Sequence, residues 1–133
     1  MRFLILITVL AAASLTFSQD SVNVVFRYTP SSPEVEHAFV PGTFNNWGPN
    51  SNGRIQPGAP SEMTFIDSLN VFIKPIRLQT GDTHNYKFHE HYDAGGNDWA
   101  WFTDPLNPLI NTSDNNNSIL NVENLMIFQV APQ

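Results

Sequence analysis

Phe39-Val-Pro-Gly-Thr-Phe-Asn-Asn-Trp47 reads as a strand running into a polar turn that carries an indole. Phe39 and Val40 can enter a core. Pro41 and Gly42 stop the strand, and Asn45-Asn46 favours a tight turn. A large apolar ring beyond a polar turn is either folded back under the loop or offered to a ligand.

Outward from this stretch the chain reads as strands, with no convincing helix. Val22-Asn-Val-Val-Phe-Arg-Tyr28 is β-branched and aromatic, and Pro30 and Pro33 stop it. Residues 35–40 form the strand that enters the turn. Residues 48–60 are a polar loop rich in Pro, Asn, Gly and Ser. Strands are predicted over 63–66 and 71–78. Pro75 has no N–H for a ladder, so it predicts a sheet edge or a bulge. The stretch 84–92 predicts one strand with Tyr86, Phe88 and Tyr92 on one face and Lys87, His89 and His91 on the other. A Gly-Gly loop over 93–98 leads to a short strand over 99–103. An irregular segment from Asp104 through Asn117 precedes strands over 119–122 and 126–130. Seven or eight short strands separated by turn residues predict an all-β protein, an immunoglobulin-like β-sandwich. The Cys and Trp pattern of antibody domains is missing.

The N-terminus is set apart. Arg2 precedes an apolar run over 3–13, and Thr16-Phe-Ser18 fits the small-x-small rule for cleavage. The run is too short for a membrane span. Residues 1–18 therefore predict a signal peptide cut after Ser18, with residues 19–133 as a single exported domain. That domain keeps five basic against twelve acidic residues, a net charge of −7. A basic footprint for nucleic acid or anionic lipid is absent. With no cysteine, no disulfide braces the fold, so a packed core must hold it.

Catalytic patterns are weak. There is no Gly-rich phosphate loop and no G-x-S-x-G. Asp93, Asp98 and Asp104 sit beside Gly or Pro, where Asp serves turn geometry. His89 and His91 share a strand face with His84 nearby, but no third metal ligand stands at a recognisable spacing. No metal or cofactor is expected. The aromatic inventory is more informative. Trp47 lies in one loop, Trp99 and Trp101 flank another, and Lys87 precedes them on an outward face. Indoles stack on the C–H face of a sugar ring, while Lys and Asn side chains reach its hydroxyls. Trp is also a frequent core residue, so composition alone leaves both readings open.

Four blocks occur in order: Phe39-Val-Pro-Gly-Thr-Phe-Asn-Asn-Trp47, Tyr86-Lys-Phe88, Trp101-Phe-Thr-Asp-Pro-Leu-Asn-Pro108 and Asn117-Ser-Ile-Leu-Asn-Val122. Together, over roughly 35–122, they resemble carbohydrate-binding module family 48, the glycogen- and starch-binding domain. The resemblance implies an early-set immunoglobulin-like sandwich that binds α-glucan without catalysis. Block by block, it implies that Trp47 and Trp101 stack on sugar, Lys87 donates to hydroxyls, and Asn117 completes the site. Kinase-type members carry a Leu and a Thr before that asparagine, where this chain has Ser113-Asp-Asn-Asn116.

The export signal favours comparison with secreted amylases and pullulanases, in which such a module precedes a catalytic barrel. A barrel needs about 250 residues, so the chain is expected to be the N-terminal piece of a longer family 13-type glycoside hydrolase or an orphan module. The alternatives are a docking domain without glucan affinity and an extracellular adhesion or sensory sandwich. Asn111-Thr-Ser113 and Asn116-Asn-Ser118 are N-glycosylation sequons.

Overall fold

The computed structural model describes residues 20–92 and 98–123. The predicted signal peptide, residues 93–97 of the Gly-Gly loop and the predicted strand over 126–130 lie outside them. Among the described residues nine strands pair antiparallel into three small sheets. They are β1 (Ser21–Tyr28), β2 (Val35–Phe39), β3 (Thr64–Ile66), β4 (Val71–Gln79), β5 (Thr83–Tyr86), β6 (Phe88–Tyr92), β7 (Asp98–Phe102), β8 (Ile110–Asn111) and β9 (Asn117–Asn121). The sheet orders are β1-β4-β3, β2-β6-β7 and β5-β9-β8. The protein is all-β and sandwich-like.

The period of two explains β1. Val22, Val24, Phe26 and Tyr28 turn inward, while Asn23, Val25 and Arg27 are exposed. Phe26 and Tyr28 then meet Ala38, Val40, Met63, Phe72, Tyr86 and Phe88 in the core. Tyr28 packs on Phe88 at 4.4 Å between ring centres, and Phe26 meets Tyr86 edge-on at 5.1 Å. These aromatic contacts join the β1 sheet to the other two. At Pro75, β4 has β1 alone beside it, because β3 pairs only with Val71–Ile73. The proline therefore sits where a missing N–H leaves no ladder bond open on the β3 side.

Three sequence expectations need correction. The strand expected over 84–92 is two strands. At Lys87 the backbone leaves β9, its N–H turns to the Pro41 carbonyl (3.0 Å), and the chain continues as β6 between β2 and β7. Antiparallel sandwiches turn corners in this way, with one stretch serving two sheets. The outward face of β6 is also not solvated. His89 is 0 % and His91 4 % exposed, because the 48–60 loop lies over them. Ile55, fully buried, is the loop's apolar anchor, and its N–H donates to His89 Nε2 at 3.3 Å. In the segment expected to be irregular, β8 adds a two-residue strand opposite Asn117 and Ser118, so β9 begins two residues earlier than predicted.

Glu90 is the polar exception on the core side of β6. Fully buried, it accepts from the Tyr28 hydroxyl (2.8 Å), the Ser31 N–H (2.8 Å) and hydroxyl (2.7 Å), and the Tyr92 hydroxyl (2.8 Å). Burial, and then this carboxylate, push the Tyr28 phenol upward. Four donors satisfy a group whose isolated burial would be costly. Glu90→Gln replaces one accepting oxygen with a donor facing donors. It should cost about 1.5 kcal/mol of stability, read from the shift of the urea midpoint at pH 7.

Candidate functional site

The turn that carries Trp47 is built by one side chain. Asn45 accepts the Gly42 N–H at 2.9 Å through Oδ1 and donates Nδ2 to the Val40 carbonyl at 2.9 Å. Its Oδ1 also takes the Gly48 N–H at 3.2 Å. Gly42 must be glycine, since a Cβ there would lie 2.7 Å from the Phe44 ring and 2.8 Å from the Asn85 carbonyl. The chain then adopts left-handed backbone at Asn46 (φ 53°) and Trp47 (φ 59°). For a tryptophan this region is unfavourable, by about 1–3 kcal/mol. The Trp47 N–H bond to Gly42 O (2.9 Å) and the Asn50 Nδ2 bond to Trp47 O (3.0 Å) hold it there. The indole is left half-buried. Asn45→Ala should cost about 1–2 kcal/mol, as the Gly42 N–H and the Val40 carbonyl lose their partner while the Gly48 N–H keeps the backbone carbonyl of residue 45. Thermal unfolding reads that loss, and a shifted Trp47 indole N–H resonance reads the loosening of the turn.

Lys87 stands at the corner between β5 and β6, tied to the same turn by its N–H bond to Pro41. Among the described residues its ammonium has no ion-pair partner. Trp101 lies on β7 opposite His89. Its ring packs on that imidazole at 4.7 Å, and its indole N–H donates to the Gly53 carbonyl at 2.6 Å. Gly53 belongs to a hairpin turn in the covering loop, with Asn52 at φ 53° and Gly53 at φ 83°, the Asn-Gly geometry of a type I′ turn. Asn117 opens β9. It is 3 % exposed, and its Nδ2 donates to Asp114 Oδ2 at 3.0 Å. The intervening Asn115 (φ 50°) and Asn116 (φ 54°) both take left-handed backbone, which asparagine tolerates better than most residues.

Trp47, Lys87, Trp101 and the largely buried Asn117 line one cleft of about 380 Å³ together with Asp114 and Asn115. The four residues named from the sequence therefore meet in space. Asp114 was missed as a lining residue. The signal available was the Asp-Asn-Asn run, whose left-handed turn brings the carboxylate back toward Asn117. Trp99 is not part of this lining. It is 38 % exposed and leans on Gly53, where an added Cβ would come within 3.2 Å of its ring.

The cleft offers two indoles, one free ammonium, two amides and a single carboxylate. Glycoside hydrolysis commonly uses a pair of carboxyl groups, and of the other acids weighed from the sequence Asp98 and Asp104 are not part of this lining. Asp98 is exposed at the start of β7, and Asp93 is outside the described residues. Asp104 accepts the Tyr86 hydroxyl (2.6 Å) and the Leu106 N–H (2.9 Å). Among the described residues no three His, Cys, Asp or Glu side chains converge as metal ligands. His84 bonds Thr43 Oγ1 at 3.0 Å. His89 and His91 lie under the loop, where burial lowers both imidazoles, His89 to about 4. No family model, curated protein or solved structure matches the chain.

Proposed function

We propose that residues 19–133 form a non-catalytic α-glucan-binding module of the early-set immunoglobulin-like kind, exported by the segment before them. The observation that carries this reading is the meeting of Trp47, Lys87, Trp101 and Asn117 in the lining of one cleft. An indole gives a flat apolar face against which sugar C–H groups pack, and stacked geometry adds to the area buried. An ammonium without an ion-pair partner among the described residues can donate to hydroxyls in three directions. Asp114 adds an acceptor, the role a glucan needs for its own O–H donors. The cleft lacks an apolar wedge before Asn117, so the ligand lies along the surface rather than being entered by a side chain.

In the same reading the module belongs with starch-active secreted hydrolases of family 13 type, and a catalytic domain is its partner. Gel electrophoresis of the exported protein through glycogen or amylopectin tests the binding. The expected result is retardation by both polysaccharides and none by cellulose derivatives. Unretarded migration at millimolar chain-end concentrations contradicts the proposal and leaves a docking or adhesion sandwich.

A further inference from the structure

A second cleft, of about 410 Å³, borders the hairpin turn that receives the Trp101 indole N–H. Its lining runs from Pro49 to Pro60 and includes Ser51, Arg54 and Gln56. Arg54 dominates its electrostatics. The residue is half-buried, and its Nε is fully buried with no hydrogen-bond partner. Among the described residues no carboxylate pairs with it. Glu62, at the end of the same loop, is already committed. It contacts His37 Nδ1 at 2.7 Å through one oxygen and accepts the Gly58 N–H through the other. His89 and His91 beneath the loop carry no negative charge.

A guanidinium in this position is costly. A buried N–H without an acceptor loses about 1–3 kcal/mol, and a half-desolvated charge without a counter-charge loses more. The two Nη groups, which are not among its buried unpartnered atoms, offer donors end-on to two oxygens of a carboxylate, sulfate or phosphate. Pro49, Pro57 and Pro60 have no N–H of their own and wall the cleft with C–H surface. The Ser51 hydroxyl and the Gln56 amide, both on the exposed part of the lining, can donate to a bound oxygen. We propose that the Arg54 cleft is an oxyanion-binding site, with a lining that shares no residue with the tryptophan cleft and touches it through the Gly53 and Asn50 hydrogen bonds to Trp101 and Trp47.

The test needs no glucan, so its failure would leave the glucan reading untouched, and the reverse holds too. The exported protein, labelled with nitrogen-15, is titrated with sodium sulfate, inorganic phosphate and sodium acetate at constant ionic strength, with chloride as the balancing salt. The expected result is a saturable shift of the Arg54 Nε–H resonance and of the Gly53 and Ile55 amides, half complete at millimolar anion. Arg54→Gln should weaken the affinity about tenfold or more, while Arg54→Lys keeps part of it. A stronger response to sulfate and phosphate assigns a tetrahedral oxyanion, and a stronger response to acetate assigns a carboxylate. Shifts that rise linearly with every salt, or that persist unchanged in Arg54→Gln, overturn the proposal.

Discussion

Trp101→Ala is expected to weaken maltoheptaose binding about 10- to 100-fold, and Trp47→Ala to do the same. In the glucan-binding reading each indole would offer one face to a sugar ring. Losing such a face removes buried apolar area and the stacking term, together about 1.5–3 kcal/mol. The two variants should differ in their side effects. Trp47 sits on a strained turn outside the sheet, so its removal should leave stability nearly unchanged, and relief of the left-handed backbone offsets part of any loss. Trp101 packs on His89 and donates to the Gly53 carbonyl, so its removal also loosens the covering loop, at a cost of about 1–3 kcal/mol. Lys87→Gln keeps a donor and a long side chain and should cost less than either, about 3- to 10-fold. Calorimetric titration of the four proteins measures affinity, and urea unfolding measures stability. Equal affinities across the set would remove the stacking account.

The second expectation concerns acid. His89 is completely buried and accepts the Ile55 N–H through Nε2. Burial is the main cause of its depressed pKa, about 4 against an ordinary 6.5, and the charges of His91 and Arg54 add to it. The unfolded chain therefore takes up a proton at His89 between pH 6.5 and 4 while the folded chain does not. The stability present above pH 6.5 is lost as the pH falls through that window, at about 1.4 kcal/mol per unit and about 3 kcal/mol in all. His91, also lowered by burial, acts in the same direction. Protonated His89 has no lone pair left for Ile55, so the 48–60 loop and the Gly53 contact to Trp101 loosen first. Urea unfolding at pH 7 and pH 4.5 should show the loss. In His89→Gln, whose amide oxygen can take the Ile55 N–H without titrating, the slope between those two values should flatten. A pH-independent midpoint in the parent protein would contradict this assignment.

Both expectations rest on features that the sequence reveals unequally. The β1 strand was readable because its apolar residues alternate, and β4 because a β-branched and aromatic run is bounded by turn residues. β7 was readable from its aromatic residues alone. The polarity of β6 misled for a physical reason. His89 and His91 look like a solvated face, and only the path of the 48–60 loop, anchored by Ile55 thirty-four residues away, makes that face interior. Alternation reports which residues share a side of a strand, not what covers that side. The corner at Lys87 was hidden similarly, because the Tyr86 and Phe88 side chains stay in phase with one strand while the backbone changes partners.

Four positions of the cleft came from the order of short blocks along the chain, and no periodicity would have joined Trp47 to Trp101. The contribution of Gly53 was not readable, and the Asp-Asn-Asn run was the one hint of Asp114. A carbonyl that orients an indole, and a carboxylate that holds an amide from three residues away, become apparent only when loops meet. Glu90 likewise looks like an ordinary surface acid between two histidines. Its burial depends on Tyr28 and Ser31, brought by a strand some sixty residues earlier.

Nuclear magnetic resonance of the three indole N–H groups gives the most direct test that Trp47 and Trp101 form one glucan platform. The protein, labelled with nitrogen-15, is titrated with maltoheptaose, and the three signals are assigned by Trp→Phe substitution. The expected result is that the Trp47 and Trp101 signals move together with a single saturation curve, while Trp99 moves little. Three stationary signals, or a response confined to Trp99, would contradict the account.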